Sequence, residues 1–208
     1  MKKALFSTIF LAILLLGNTM AHAQYLPKTD KGTAFAEPVM SLSIATGEAD
    51  MSSYMKTVFA DFKDMNVITG GVGFRTGYFP LNKLETYVQI SGNIGGDMKS
   101  SKDVISDVHN WGVYVGVEYF FGNIKDLVTF SANIGIGSEL IRYSYDNLNT
   151  VNANGVLDFG LTVWLTRMGF NVSYTPAIVK GSTKSSTGFE NVPEMSLNNV
   201  NIGLRFRF

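Results

Sequence analysis

The sequence predicts an all-β fold: an eight-stranded antiparallel up-and-down transmembrane β-barrel, with a short amphipathic helix in its first long loop. Three observations predict it. Segments of about ten residues with apolar side chains at every second position recur along the chain. The connections between them alternate between short and long. No apolar run reaches the roughly 20 residues that a membrane-spanning helix needs, so residence in a bilayer has to be by strands.

The chain opens with Lys2 and Lys3, an apolar run from Ala4 to Gly17 and the small-x-small triplet Ala21-His22-Ala23. This is the pattern of a cleaved secretory signal over residues 1–23, with Gln24 as the first mature residue. Residues 24–34 are expected to be a short periplasmic segment and residues 35–208 the barrel. Removing two lysines and no acids leaves 15 basic and 17 acidic residues, a net charge of about −2. Nothing in that balance resembles a nucleic-acid binder. The chain has no cysteine, which excludes disulfides, thiol catalysis, thiolate metal sites and a lipidated N-terminal cysteine.

The first alternating segment carries Met40, Leu42 and Ile44; the second Ile68, Val72, Phe74 and Tyr78; the third Leu84, Val88, Ile90 and Ile94. The fourth is the most regular, with Trp111, Val113, Val115, Val117, Tyr119 and Phe121 on one face and Gly112, Tyr114, Gly116, Glu118 and Phe120 on the other. The fifth has Val128, Phe130, Ala132, Ile134 and Ile136, and the sixth Leu157, Phe159, Leu161, Val163 and Leu165. Phe170, Val172, Tyr174 and Ile178 mark the seventh, and Val200, Ile202, Leu204, Phe206 and Phe208 the eighth. Aromatic residues near segment ends, namely Tyr78, Phe79, Trp111, Tyr119 and Phe121, are expected to form interfacial girdles.

Short turns are expected at Pro80-Leu81-Asn82, Gly122-Asn123-Ile124-Lys125 and Thr166-Arg167. Residues 46–66, 95–109, 139–150 and 180–194, rich in Lys, Asp and Ser, are expected to be solvated loops. In the first of these the period changes. Met51, Tyr54, Met55, Val58, Phe59, Phe62 and Met65 recur at helical spacing, opposite Ser52, Ser53, Lys56, Thr57, Asp61, Lys63 and Asp64. Asp50 or Ser52 can cap this helix, which is expected to lie over the barrel mouth as a lid or to offer a docking surface. A further hairpin in the same stretch would instead give ten strands and a wider lumen.

The second face of the strands separates a membrane barrel from a soluble lipid-binding one. Gly71, Gly73, Gly77, Ser91, Asn93, Ser131, Asn133, Gly135, Gly137, Asn171 and Ser173 suit a crowded lumen better than a solvated surface. Small residues there leave room for Tyr87 and Tyr114. In the same strand phase Arg75, Glu85, Glu118, Asp158, Arg205 and Arg207 all face inward, three of each sign. Unpaired, they would be very costly, so a balanced ion-pair network plugging the barrel is expected, serving packing rather than gating.

The last residues, Asn201-Ile202-Gly203-Leu204-Arg205-Phe206-Arg207-Phe208, resemble the C-terminal assembly signal of bacterial outer-membrane proteins. Asn201 is the polar position, Gly203 the glycine two residues on, and Phe206 and Phe208 the alternating aromatics that end the chain. In plan and in this motif, residues 35–208 resemble the OmpA/OmpX-type small outer-membrane barrels. The Ala-His-Ala-Gln ending at the cleavage site resembles precursors from Bacteroidetes. The resemblance implies residence in the bacterial cell outer membrane, contact with outer-membrane lipid and recognition by the barrel-assembly machinery, in a monomer. It implies no single activity, because one barrel carries many roles.

Catalysis is not expected. Of the two histidines only His109 survives cleavage, and its neighbours Ser106 and Asp107 lie too close in sequence to converge on one reacting atom. Asp97, Asp103 and Asp107 share a loop but read as scattered surface charge, and Gly70-Gly71-Val72-Gly73 lies inside a strand rather than before a phosphate-binding helix. No cofactor is expected. The reading is a non-enzymatic barrel with a structural or surface-interaction role and a filled lumen; the alternatives are a narrow porin-like channel and, behind it, a lipid-modifying enzyme. Deleting Phe208 is expected to lower the level of protein in the outer membrane while processing at Ala23 stays normal. Unchanged outer-membrane levels by fractionation would contradict the C-terminal resemblance.

Overall fold

Strict alternation sorts each strand into an apolar and a polar face, and closure of the sheet decides which face meets the surroundings. The computed structural model describes residues 29–50, 65–96, 98–99, 104–124, 127–145, 148–185 and 194–208. Ten strand segments build the wall: β1 (Ala34–Asp50), β2 (Met65–Leu81), β3 (Leu84–Gly95), β4 (Met98–Lys99), β5 (Val104–Ile124), β6 (Val128–Tyr145), β7 (Leu148–Leu165), β8 (Met168–Thr175), β9 (Ala177–Ser185) and β10 (Glu194–Phe206). Short β4 continues β3 along β5, and β9 continues β8 along β7 beyond Pro176. The result is eight antiparallel staves. The ring closes where β1 pairs with β10, from Val39 opposite Arg205 to Asp50 opposite Glu194. Among the described residues there is no helix.

The outward row is predominantly apolar: Leu42, Ile44, Ile68, Val72, Phe74, Val88, Ile90, Val113, Val115, Ile134, Ile136, Leu161, Val172 and Ile202 are all exposed. In water such a surface would be prohibitive, and against lipid tails it is neutral. Tyr78, Trp111, Tyr119 and Phe121 stand on this outer face, as expected of a girdle, whereas Phe79 is fully buried. Phe79 follows outward Tyr78 by one residue, so the two-residue period turns it into the lumen. Phe206 is buried as well. It pairs with Met168 at the end of the β10 ladder, beside the turn whose Arg167 carbonyl accepts from the Arg207 N–H at 2.9 Å.

Where the structure describes them, the segments expected as solvated loops are nearly all strand. β6 and β7 pair all the way from Val128 opposite Leu165 to Tyr145 opposite Leu148, so most of residues 139–150 is hairpin. β1 runs to Asp50, β2 starts at Met65, β5 starts at Val104, and β9 and β10 enter the 180–194 stretch from both sides. Backbone groups leaving the bilayer still need partners, and strand pairing supplies them without help from side-chain composition. The proposed helical face from Met51 to Phe62 lies outside the described residues, and Met65 opens β2. The cleavage residues Ala21, Ala23 and Gln24, together with Asp97 and Asp103, also lie outside them.

The short turns are tighter than the composition suggested. Pro80 and Leu81 belong to β2, and the turn is Asn82-Lys83, with Leu81 opposite Leu84 and Lys83 at a φ of 64°. Gly122, Asn123 and Ile124 continue β5 through a bulge, which Gly122 permits at a φ of 70°. Thr166-Arg167 is a two-residue turn, with Thr166 at a φ of 58°. Residues 29–33 lie against the first turn: Lys83 donates its N–H to Thr29 at 2.8 Å, and Gly32 and Phe79 exchange bonds with Phe79 and Thr33 at 2.9 Å.

A closed ladder of this kind resists detergent. Unboiled protein is expected to migrate differently from boiled protein in SDS gels, and identical migration of correctly inserted protein would contradict the closed barrel.

Candidate functional site

The lumen is where chemistry-bearing side chains gather, because every inward position is shielded from lipid and most are shielded from water. It is stratified. At the end where β1 starts and β10 finishes, Phe35, Phe79, Phe120 and Trp164 form one buried cluster with Tyr87. Neighbouring rings meet at centroid distances of 5.9, 5.7 and 6.1 Å around the arc from Phe35 to Trp164. Trp164 closes its one polar valence by donating Nε1–H to Ser131 Oγ at 2.9 Å.

Directly above lies a layer of six charges: Glu37, Arg75, Glu85, Glu118, Arg205 and Arg207, all buried. Glu85 and Glu118 are cross-strand partners, a like-charge arrangement that would be unfavourable alone. Arg75 Nη2 bridges them, donating to Glu85 Oε1 at 2.9 Å and to Glu118 Oε2. Arg205 donates Nε and Nη2 to Glu37 Oε2 at 2.9 and 2.6 Å, and its Nη1 reaches Glu118 Oε2 at 2.9 Å and Thr162 at 3.0 Å. Arg207 joins Glu37 to Glu85, the latter at 2.7 Å. Ser131 completes Glu118 by donating its hydroxyl. Guanidinium groups suit this layer because each planar fork serves two carboxylates at once.

Five of the six residues expected in the network therefore meet in this layer, and Asp158 does not. In register, Glu118 lies opposite Asn133 and Asn133 opposite Gly160, which puts Asp158 two residues farther along β7. Asp158 accepts instead from neutral groups: Asn133 at 2.6 Å, Thr175 at 3.3 Å and Tyr87 at 3.4 Å. The acid that takes its place is Glu37, which the sequence reading missed. Its signal was the inward phase of Phe35, Glu37, Val39 and Ser41, continuing through Pro38 at the start of β1.

Beyond Asp158 a second carboxylate, Glu139, accepts from Tyr114, from Asn199 at 3.3 Å and from Asn110 at 3.4 Å, and Asn110 itself accepts from Asn93 at 2.7 Å. Between the two acids is a cavity of about 40 Å³, also lined by Gln89, Tyr114, Asn171 and Thr175. That is room for a few water molecules at most, roughly one per 10–15 Å³. Nearer the charged layer, glycines make room for a tyrosine. A Cβ on Gly116 or Gly135 would come within 2.5 or 2.6 Å of the Tyr87 hydroxyl, which the ring of Tyr87 occupies with Arg75 stacked on it at 3.3 Å.

His109 is not in a loop. It lies on β5 in register with Ile94 and Arg142, and Asp107 beside it takes a φ of 52° at a bulge. Gly70 to Gly73 lie within β2. Among the described residues no group of histidines and acids is placed to hold a metal ion. Asn201 and Gly203 sit opposite Ser43 and Ser41 across the closing seam, and exposed Phe208 exchanges backbone bonds with Ala36 at 3.0 and 3.4 Å.

No family model and no curated protein sequence matches the chain. Solved structures do. Neisserial surface protein A (NspA) aligns with a TM-score of 0.53 at 11% identity, over 85% of this chain and 99% of that one. OprG from Pseudomonas aeruginosa aligns at 0.49 and 10% identity over 87% and 98%, and Ail, the attachment invasion locus protein of Yersinia pestis, at 0.41 and 14% over 86% and 99%. The first likeness establishes a shared fold, that of a small outer-membrane barrel, and at this identity nothing more specific.

Glu118 touches two arginines and Ser131, so truncating it strands buried positive charge. Glu118→Ala is expected to destabilise the barrel by about 3 kcal/mol in urea unfolding, the usual scale for breaking a buried pair. An unchanged midpoint would mean that Glu118 faces bulk water.

Proposed function

We propose that the chain is a non-enzymatic barrel of the bacterial outer membrane with a structural or surface-interaction role and a lumen plugged by its own side chains. The observation that carries this reading is the pair of adjoining layers, aromatic and ionic, that fills the lumen at the end with the two-residue turns, where β1 starts and β10 finishes. Bacterial barrels keep termini and short turns in the periplasm, so this end is the periplasmic mouth and the long hairpins are extracellular. β5, β6 and β7 have 21, 18 and 18 residues, while about 9–11 span the hydrocarbon. The excess lifts paired hairpins above the outer leaflet, and presenting their surface is what the fold is suited to do.

On this reading the chain enters the secretory route by its N-terminal signal and is inserted by the barrel-assembly machinery through its C-terminal strand. It then stays as a monomer in contact with outer-membrane lipid. Against catalysis stands the position of His109 on a strand in the outward row, beside Arg142 and away from the lumen carboxylates. A narrow channel is the second reading, favoured by the cavity between Asp158 and Glu139. It would require a path past Phe35, Phe79, Phe120 and Trp164. Purified protein in a planar bilayer is expected to show no steady openings, and reproducible nanosiemens-scale conductance would overturn the plugged reading.

A further inference from the structure

Arg207, one residue from the C-terminus, is held in a different way from the other two arginines. Its guanidinium carbon lies 4.3 Å from the ring centre of Phe35, 4.7 Å from Trp164, 5.0 Å from Phe120 and 5.5 Å from Phe79. Two of its nitrogens bond Glu37 and Glu85, while Nη1 is buried with no hydrogen-bond partner. The group is thus gripped by ring faces and two carboxylates, the arrangement that recognises a planar cation.

The cage is drawn from β1, β2, β5 and β7, and its acids from β1 and β3. All precede β10 in the chain. Without β10 the mouth holds Glu37, Glu85 and Glu118 against Arg75 alone, three negative charges and one positive, or a net −2. Arg205 and Arg207 bring +2. The charge of the incoming strand matches the charge awaiting it, and Glu37, on the strand that β10 must pair with, receives both arginines.

We propose that the periplasmic mouth is a preformed guanidinium-binding site whose ligand is the chain's own Arg207, so that closing the barrel is a binding event. β10 is drawn to β1 by the unbalanced carboxylates, and Glu37 and Glu85, accepting two N–H bonds between the ring faces, then select a planar hydrogen-bond-donating cation over one that cannot donate. The backbone exchange between Phe208 and Ala36 fixes the register once Arg207 is seated.

The test is chemical rescue in the full-length mature protein refolded in detergent, read as the temperature at which the compact gel band converts to the unfolded one. Arg207→Ala is expected to lower that temperature. Guanidinium chloride at tens of millimolar, far below denaturing levels, is expected to raise it again by several degrees, because a ligand that binds only the folded state stabilises it. Equal concentrations of tetramethylammonium or sodium chloride are expected to do nothing, and guanidinium is expected not to stabilise the unsubstituted protein, whose site is full. Should Arg207→Ala fail to refold, the yield of compact band with and without guanidinium gives the same answer. Arg207→Lys, which keeps the charge without the planar fork, is expected to stay destabilised. A variant indifferent to guanidinium, or rescued equally by tetramethylammonium or sodium, would overturn the proposal, as would equal stabilisation of the unsubstituted protein.

Discussion

Six charged side chains share one cross-section of a barrel that is only wide enough for side chains, and the rest of the structure is organised around keeping them neutral as a set. An isolated carboxylate in that space would cost many kilocalories per mole of lost hydration. Three glutamates with three arginines remove the cost only if every fork and every carboxylate is placed correctly. Placement is set by register, and register by the ladder of backbone bonds that the lipid-facing row forces to be complete. The apolar outer face and the charged interior are thus two consequences of one closed sheet.

The same constraint explains the order of layers. Charges need a lid against water at the nearer mouth, and the four rings of Phe35, Phe79, Phe120 and Trp164 supply it while offering their faces to Arg207. Above the charges the acids are held singly by neutral amides and hydroxyls, Asp158 by Asn133 and Glu139 by Asn199 and Asn110. Glycines opposite Tyr87 and Tyr114 let two large rings lie across a narrow tube. Among the described residues, large lumen side chains face glycines across the tube, the packing that an eight-stranded barrel has room for.

Much of this was legible in the sequence, since period-two alternation reports which side chains share a face whatever their surroundings. Arg75, Glu85, Glu118, Arg205 and Arg207 could be placed inside from phase alone. Phase gives the face but not the height. That is why Asp158, correct in face, falls in a different layer, and why Glu37, next to a proline, was not recognised as strand. Trp164 shares the inward phase of Asp158 and Thr162 on β7, next to an apolar row that faces outward. The loop boundaries were misread for a different reason: outside the bilayer a strand may carry Lys, Ser and Asp freely, so residues 139–150 look like loop while pairing as hairpin. Phe79 and Phe206 show the complementary error, in which an aromatic near a strand end suggests lipid and proves to be buried.

The central claim is that the charged layer acts as one coupled unit holding the first strand to the last, and a double-mutant cycle on Glu37 and Arg205 addresses it directly. Unfolding free energies of Glu37→Gln, Arg205→Met and the double variant are compared with the unsubstituted protein. The account predicts strong coupling, with the double variant little worse than Arg205→Met alone, because each single change leaves the buried layer with one uncompensated charge while the double change restores its balance. Additive losses would contradict it, since they would mean that the two side chains contribute independently and the seam is held by backbone pairing alone.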